Sequence, residues 1–191
     1  MKTPIYVVCF LCILTSTLFS NEVIKNIEDN WNQISSMSGE FQQLDSDGNI
    51  SIGKFFFLKP YLSKFIYEDR PENIITNKLL LRIVDQENYQ IDSYPIGNNI
   101  LKKILSENFS IEEDLNIKSL KSDNGFYEIE FLTSLDNTNN KALLLFNKNT
   151  LDLKKWVIFD EFDNKTVLEF TNIKKNISIS ENLFVVKYKQ N

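Results

Sequence analysis

Two groups of carboxylates lie close enough in the sequence to share a proton: Glu112, Glu113 and Asp114, and Asp160, Glu161 and Asp163. Hydrolysis of a glycosidic bond needs such a pair, one acid to protonate the leaving group and one carboxylate to attack or to activate water. Each group has a plainer use. Ser110-Ile111-Glu112-Glu113 has the spacing of a capping box that opens a helical turn. Asp160 to Asp163 falls in a turn between two apolar runs. Both are read as solvated cap and turn charge. There is no histidine in the chain, and the two cysteines, Cys9 and Cys12, sit near its start. Ser-His and Cys-His nucleophiles and the common metal sets therefore lack their residues. No phosphate-binding loop is found among the five glycines. The expectation is a binding protein and not an enzyme, without metal or cofactor.

The start of the chain supplies an address. Lys2 is followed by an uncharged apolar run from Ile5 to Leu14, then by Thr15, Ser16, Thr17 and Ser20. That is the three-part layout of a secretory signal, and the run is shorter than the roughly 20 residues a membrane-spanning helix needs. Cleavage is expected near Ser20–Asn21, so residues 1–20 form the signal and residues 21–191 a single domain. Both cysteines leave with the signal, which excludes structural disulfides in the mature chain. Neither has the small residue before it that a lipoprotein acylation site requires. No second long apolar stretch follows. The whole chain carries a net charge of −5, its lysines scattered or at most paired, as at Lys154–Lys155. That is no footprint for nucleic acid.

Val23, Ile24, Ile27, Trp31 and Ile34 recur at helical spacing and predict an amphipathic helix from Asn21 to Met37, with Asn21 as its cap. Strand patterns then take over. Phe41 begins a run that turns at Asp45-Ser46-Asp47-Gly48 and returns through Ile50 to Leu58. Further strands are expected at Leu62–Glu68, from Ile74, at Leu79–Val84 and at Tyr89–Tyr94. A second helix is expected from Asn98 to Ser106, with Ile100, Leu101, Ile104 and Leu105 on its apolar face. The rest reads as strands, at Ile117–Leu120, Phe126–Thr133, Ala142–Asn147, Asp152–Asp160 and Thr166–Ile173. The turns between them are too short for parallel crossovers, so neighbours must be antiparallel.

Several of these strands are apolar at consecutive positions: Phe55-Phe56-Phe57, Leu79-Leu80-Leu81 and Leu143-Leu144-Leu145-Phe146. An antiparallel sheet with one wet face alternates. These strands need cover on both faces, or one face that lines an apolar hollow. With only about two helices to cover them, a strongly curved sheet wrapped around those helices fits best.

In order and spacing, these pieces resemble the LolA family of periplasmic outer-membrane lipoprotein carriers. The likeness runs from the helix through Met37-Ser38-Gly39-Glu40-Phe41-Gln42-Gln43, Gly53-Lys54-Phe55-Phe56-Phe57-Leu58-Lys59-Pro60 and Lys64-Phe65-Ile66-Tyr67. It continues to Leu153-Lys154-Lys155-Trp156, Asn164-Lys165-Thr166, Phe170, Asn172-Ile173, Asn176 and Phe184. The resemblance implies a mainly β fold with a few helices: an incomplete, strongly curved antiparallel β-barrel closed by an α-helical lid over an apolar cavity. It also implies a monomeric periplasmic chaperone. Such carriers take acylated lipoproteins from an inner-membrane ABC transporter and deliver them to an outer-membrane lipoprotein receptor. The receptor shares the fold but carries an acylated cysteine, which the mature chain would lack. A module of the same fold for another lipid, or for envelope-stress sensing, is the alternative.

By the same resemblance, Lys59 occupies the place of a family Arg that holds the helical lid through backbone carbonyls. Lys, with three donors on a flexible stem, is a weaker version of that fork, which implies a lid that opens more easily. Phe65 and Tyr67, one face of a strand by period two, would line the cavity with Phe41, Phe55 and Phe57. Ile100, Leu101 and Ile104 would form the lid together with Ile27 and Trp31. Ser63 stands where many relatives have Phe near the cavity mouth. Lys78 and Leu79 replace a usual turn glycine and polar residue, so that hairpin is expected to differ in shape.

Overall fold

Two antiparallel meanders, one from each half of the chain, join at the centre of a single curved sheet. The computed structural model describes residues 21–97, 99–135, 138–160 and 162–189. The expected signal, with both cysteines, lies outside the described residues. Helix α1 covers residues 21–32. The first meander is β1 (Ser36–Leu44), β2 (Ile50–Leu58), β3 (Leu62–Tyr67), β4 (Asn73–Thr76), β5 (Leu80–Val84) and β6 (Gln90–Pro95). Two short helices follow, α2 (Ile100–Ile104) and α3 (Ile111–Asp114). The second meander is β7 (Asn116–Asp123), β8 (Phe126–Leu135), β9 (Thr138–Asn147), β10 (Leu153–Phe159) and β11 (Lys165–Lys175). A 3-10 turn at Glu181–Phe184 ends the regular structure.

The strand order is β6-β5-β4-β3-β2-β1-β11-β10-β9-β8-β7. Each meander builds outward from or inward to the centre, where β1 pairs with β11 from Met37↔Lys175 to Leu44↔Val167. The outer strands, β6 and β7, do not pair, so the barrel stays open. The segment carrying α2 and α3 connects these two edges. The expected incomplete, strongly curved antiparallel barrel with a few helices is therefore the observed architecture. Right-handed strand twist accumulates over so many strands and curls the sheet, and side chains of β2, β3, β8 and β9 meet those of all three helices in one core cluster.

Some boundaries differ from the sequence reading. α1 stops at residue 32, five short of the expected end, because Ser36 and Met37 are already in the β1 ladder opposite Leu58 and Phe57. Ile34 remains buried, so helical spacing carried its signal past the last turn. Asn21 is itself helical and not the cap. α2 is shorter than expected and begins after Asn99, whose side chain accepts from the Leu101 N–H at 2.8 Å. Ser110 caps α3 as expected, accepting from the Glu113 N–H.

The consecutive apolar residues resolve into two faces. Phe55 and Phe57 point inward at 0 and 2% exposure. Phe56 points outward, where it packs with Leu58, Leu62, Ile75 and Val84 beneath Ile179, Leu183, Phe184 and Val186. The C-terminal segment therefore covers the outer face, a role the sequence reading left to helices. On β9, Ala142, Leu144 and Phe146 are buried while Leu143 and Leu145 are half-buried on the other face. Lys64 also lies on the covered outer face, 5% exposed, and its Nζ donates to Asn88 Oδ1 at 2.7 Å.

Candidate functional site

The register of β1, β2 and β3 brings five aromatic side chains together on the concave face. Phe41 meets Phe65 and Tyr67 edge-on, with ring centres 5.4 and 5.0 Å apart. Phe57 meets Phe65 at 5.6 Å and Phe55 at 4.9 Å. Edge-to-face pairs at these separations place ring hydrogens against π-faces. β11 adds Phe170, 5.0 Å from Phe55. Phe170 is not among the cavity residues that the family resemblance implies. Its signal is long-range, the β1–β11 pairing that sets it opposite Phe41.

Glycine makes this packing possible at one point. Gly53 stands between Phe41 and Tyr67 in the ladder. A β-carbon there would come within 2.0 Å of the Ile66 carbonyl oxygen and 2.9 Å of Phe41.

The lid residues close over this cluster. Ile27, Trp31, Ile100, Leu101 and Ile104 are at most 6% exposed and belong to the same core as the aromatic rings. A hollow wide enough for an acyl chain would leave surface on the residues that line it. These residues have almost none. The space beside Lys59, between Trp31, Ile34, Met37, Phe57 and Leu105, is about 10 Å³, at the lower limit for one water molecule. Among the described residues the apolar interior is thus packed by its own side chains, and an occupant there would have to part the lid from the sheet.

Three hydrogen bonds around the β2–β3 turn tie the lid down and converge, and a separate one runs from the Asn30 side chain on α1 to the Leu151 carbonyl. The Lys59 ammonium donates to the Trp31 carbonyl at 2.8 Å and lies 5.2 Å from the centre of the Trp31 ring. The Trp31 indole N–H donates to the Ile104 carbonyl at 2.6 Å. The Tyr61 N–H donates to the Leu105 carbonyl at 2.8 Å. The β2–β3 turn thus holds α1 directly and the end of α2 both directly and through Trp31. The cation reaches α1, whereas α2 is held by neutral donors. Burial pulls the Lys59 pKa down to about 8, because the charged form loses hydration that one carbonyl and one ring replace only in part.

At the other end of the cluster the Tyr67 hydroxyl donates to Gln43 Oε1 at 2.9 Å, and the Arg70 guanidinium stacks 3.3 Å from the Tyr67 ring centre. Burial raises the Tyr67 pKa and the Arg70 charge opposes that rise. Ser63 is fully buried and pairs with Thr76 through their hydroxyls at 2.6 Å, so it lies beneath the rim and not on it.

Of the candidate carboxylates, Asp114 and Asp160 are engaged in local structure, and Glu161 lies outside the described residues. Asp114 accepts from the Ser110 N–H. Asp160 accepts from the N–H groups of Phe162 and Asn164, and its hydrogen bond from the Asn164 side chain holds its carboxyl below the usual range. Among the described residues, no group of three His, Cys, Asp or Glu is placed to hold a metal. No helix among them is long and apolar enough to cross a membrane.

An open antiparallel sheet curved around an aromatic interior, with helices tied across it, is the architecture of the lipoprotein-carrier fold. The chain belongs to the LolA family: the model of the outer membrane lipoprotein carrier protein LolA matches residues 32–187. An uncharacterized protein of Rickettsia prowazekii (strain Madrid E) is 27% identical over 184 residues, which cover 95% of this chain and 84% of the relative. Two crystal structures share the fold. One is a putative outer membrane lipoprotein-sorting protein domain from Vibrio parahaemolyticus, 11% identical, TM-score 0.50, covering 86% of this chain and 94% of that one. The other is an uncharacterized conserved protein from Thermus thermophilus, 10% identical, TM-score 0.52, covering 89% and 99%.

Proposed function

We propose that this protein is a periplasmic carrier of acylated lipoproteins, which it accepts from an inner-membrane ABC transporter and passes to an outer-membrane receptor. The observation that supports this most is the lid itself. Two helices cover an aromatic interior, and Lys59 and Tyr61 of the β2–β3 turn tie one helix each while Trp31 ties the two helices together.

Each methylene removed from water contributes ~0.8 kcal/mol, so a long acyl chain contributes roughly 10 kcal/mol. Exposed acyl chains cannot cross an aqueous gap at a useful rate without cover. Phe41, Phe55, Phe57, Phe65 and Tyr67 offer that cover on the sheet side. Ile27, Trp31, Ile100, Leu101 and Ile104 offer it on the lid side. In the closed state the two sets cover each other. Cargo must displace that contact, so net affinity is the difference between two apolar burials. Such a difference suits a carrier that has to let go. Lys59 serves the same end, since a buried ammonium is a weak tie.

The test is release of a newly acylated lipoprotein from spheroplasts by the purified mature protein. The reading expects a soluble one-to-one complex that passes its cargo to outer-membrane vesicles. Repeated failure to release any lipoprotein would sink it. Recovery of bound phospholipid without lipoprotein transfer would identify a carrier of another amphiphile.

A further inference from the structure

Strand register sorts the turns of β1–β6 to two ends of the sheet, and charge is segregated between them. The turns at the Lys59 end span residues 33–35, 59–61, 77–79 and 96–99. They hold Lys59 and Lys78 and not one carboxylate. α2 continues from them with Lys102 and Lys103, and the first carboxylate beyond is Glu107. The turns at the opposite end span residues 45–49, 68–72, 85–89 and, from β10–β11, 160–164. Each of these holds at least two carboxylates, beginning with Asp45 and Asp47, and Arg70 is their one cation. The β7–β8 and β9–β10 turns at the same end add Asp123 and Asp152 beside Lys148 and Lys175, so the cationic excess of this end of a chain of net charge −5 is carried by the β1–β6 turns and α2.

That end also displays an aliphatic side chain by construction. Leu79 is 70% exposed. Its turn is held at both sides: Asn77 Oδ1 accepts from the N–H groups of Leu79 and Leu80, each at 2.9 Å. The Leu79 carbonyl accepts from the Ile96 N–H at 2.9 Å. Beside it Lys78 is exposed, its Nζ 5.2 Å from the ring centre of Tyr61. Phe162 is more exposed still, at 77%, but it sits in the acidic turn at residues 160–164.

We infer that the end of the sheet bearing Leu79 and Lys78 docks on a bilayer surface of anionic phospholipid, with Leu79 inserted between headgroups. Charge selects the occupant. An anionic surface attracts the Lys78 end and repels the opposite one, so the same field that holds the protein also orients it. One leucine and a few lysines give only brief residence, as single weak membrane signals do. Tyr61 joins this patch to the lid, because its ring lies under Lys78 while its N–H holds the Leu105 carbonyl. Docking would thus bring the tied edge of the lid to the lipid surface. The inference does not depend on the identity of the cargo and is tested without it.

The experiment is flotation of the protein with vesicles of phosphatidylethanolamine and phosphatidylglycerol, against vesicles of phosphatidylcholine alone, at low and at physiological salt. Binding is expected only to the anionic vesicles and should weaken as salt screens it. Removing one lysine from such a surface lowers binding about fivefold, so Lys78→Glu should lower it by at least about fivefold. Leu79→Asn should lower it by about tenfold or more. Phe162→Ser should leave it unchanged. All three positions are solvent-exposed turn sites, and circular dichroism of each variant checks that it folds. Equal binding by all variants, loss confined to Phe162→Ser, or no binding of the wild type to anionic vesicles would overturn the inference. So would capture of an acidic protein through Leu79 with no vesicle binding.

Discussion

The Lys59 ammonium lies 2.8 Å from the Trp31 carbonyl oxygen, and that oxygen also accepts from the Ile34 N–H at 3.1 Å. Removing the lysine therefore orphans no backbone group. It does relieve the burial of a charge that has no carboxylate partner recorded among the described residues. Replacing a buried charge by an apolar group of similar size is often neutral or stabilising. Lys59→Leu is expected to raise folding stability by about 1 kcal/mol and to make the lid open less often. Urea denaturation and amide exchange in α2 measure the two. A loss of stability of about 2 kcal/mol or more would show that the tie outweighs the buried charge.

The indole of Trp31 is the opposite case. It donates to the Ile104 carbonyl at the end of α2, and Trp31 itself is 3% exposed. Trp31→Phe keeps a ring and removes the donor, which leaves a buried carbonyl unpaired. Stability should fall by about 2 kcal/mol, with the increase in amide exchange concentrated in α2. Trp156 provides the comparison, since its Nε1 is buried with no partner among the described residues. Trp156→Phe should change stability by less than about 1 kcal/mol.

Lys59 also makes closure depend on pH. Its pKa is about 8 in the closed state against an ordinary value of 10.5. Between those values the open or unfolded form binds more protons than the closed one, so closure becomes more favourable as pH rises. Below about pH 8 the charge is present in both states and the cost of burying it is fully felt. In a Trp156→Phe background Trp31 is the sole tryptophan. Acrylamide quenching of Trp31 should decrease as pH rises from about 8 toward about 10.5. The same titration with Lys59→Leu added should be flat. A slope that survives that substitution would move the effect to another group.

How much of this could be read from residues in order follows from the range of each interaction. Strand positions and antiparallel pairing were legible because turns such as residues 45–49 are local and alternation is a nearest-neighbour pattern. The helix α2 was legible from the spacing of Ile100, Leu101 and Ile104, whereas its place as a lid came only with the family resemblance. Consecutive apolar residues at Phe55-Phe56-Phe57 announced two covered faces, but what covers the outer one was hidden. Phe184 lies more than a hundred residues away in a segment without periodicity. The eleven sequence-named side chains do converge around the lid, whereas their part in binding stands as a proposal. Phe170 escaped because only the β1–β11 register makes it a neighbour of Phe55. The filled interior was equally illegible. Pattern specifies which side chains face inward, and only packing determines whether they leave a space.

That packing is tightest where the chain has no side chain at all. A β-carbon on Gly53 would meet the Ile66 carbonyl oxygen at 2.0 Å and Phe41 at 2.9 Å. The first contact is with backbone, in the strand to which β2 is hydrogen-bonded, so no rotamer change relieves it. Gly53→Ala must push β3 away from β2 at the point where Phe41 packs against Tyr67. Overpacking of this kind costs about 1–3 kcal/mol, and the upper end applies because a ladder of hydrogen bonds has to shift with it. Ala at a solvent-facing strand position would instead stabilise slightly by restricting the unfolded chain. Denaturation of Gly53→Ala beside Gly48→Ala separates these effects from a general glycine penalty. Gly48 has nothing within 4 Å of its added β-carbon but a φ of +84°, so its cost is conformational alone, about 1 kcal/mol. Gly53→Ala should lose more than that and should also disturb the near-ultraviolet dichroism of the aromatic cluster, which Gly48→Ala should leave intact.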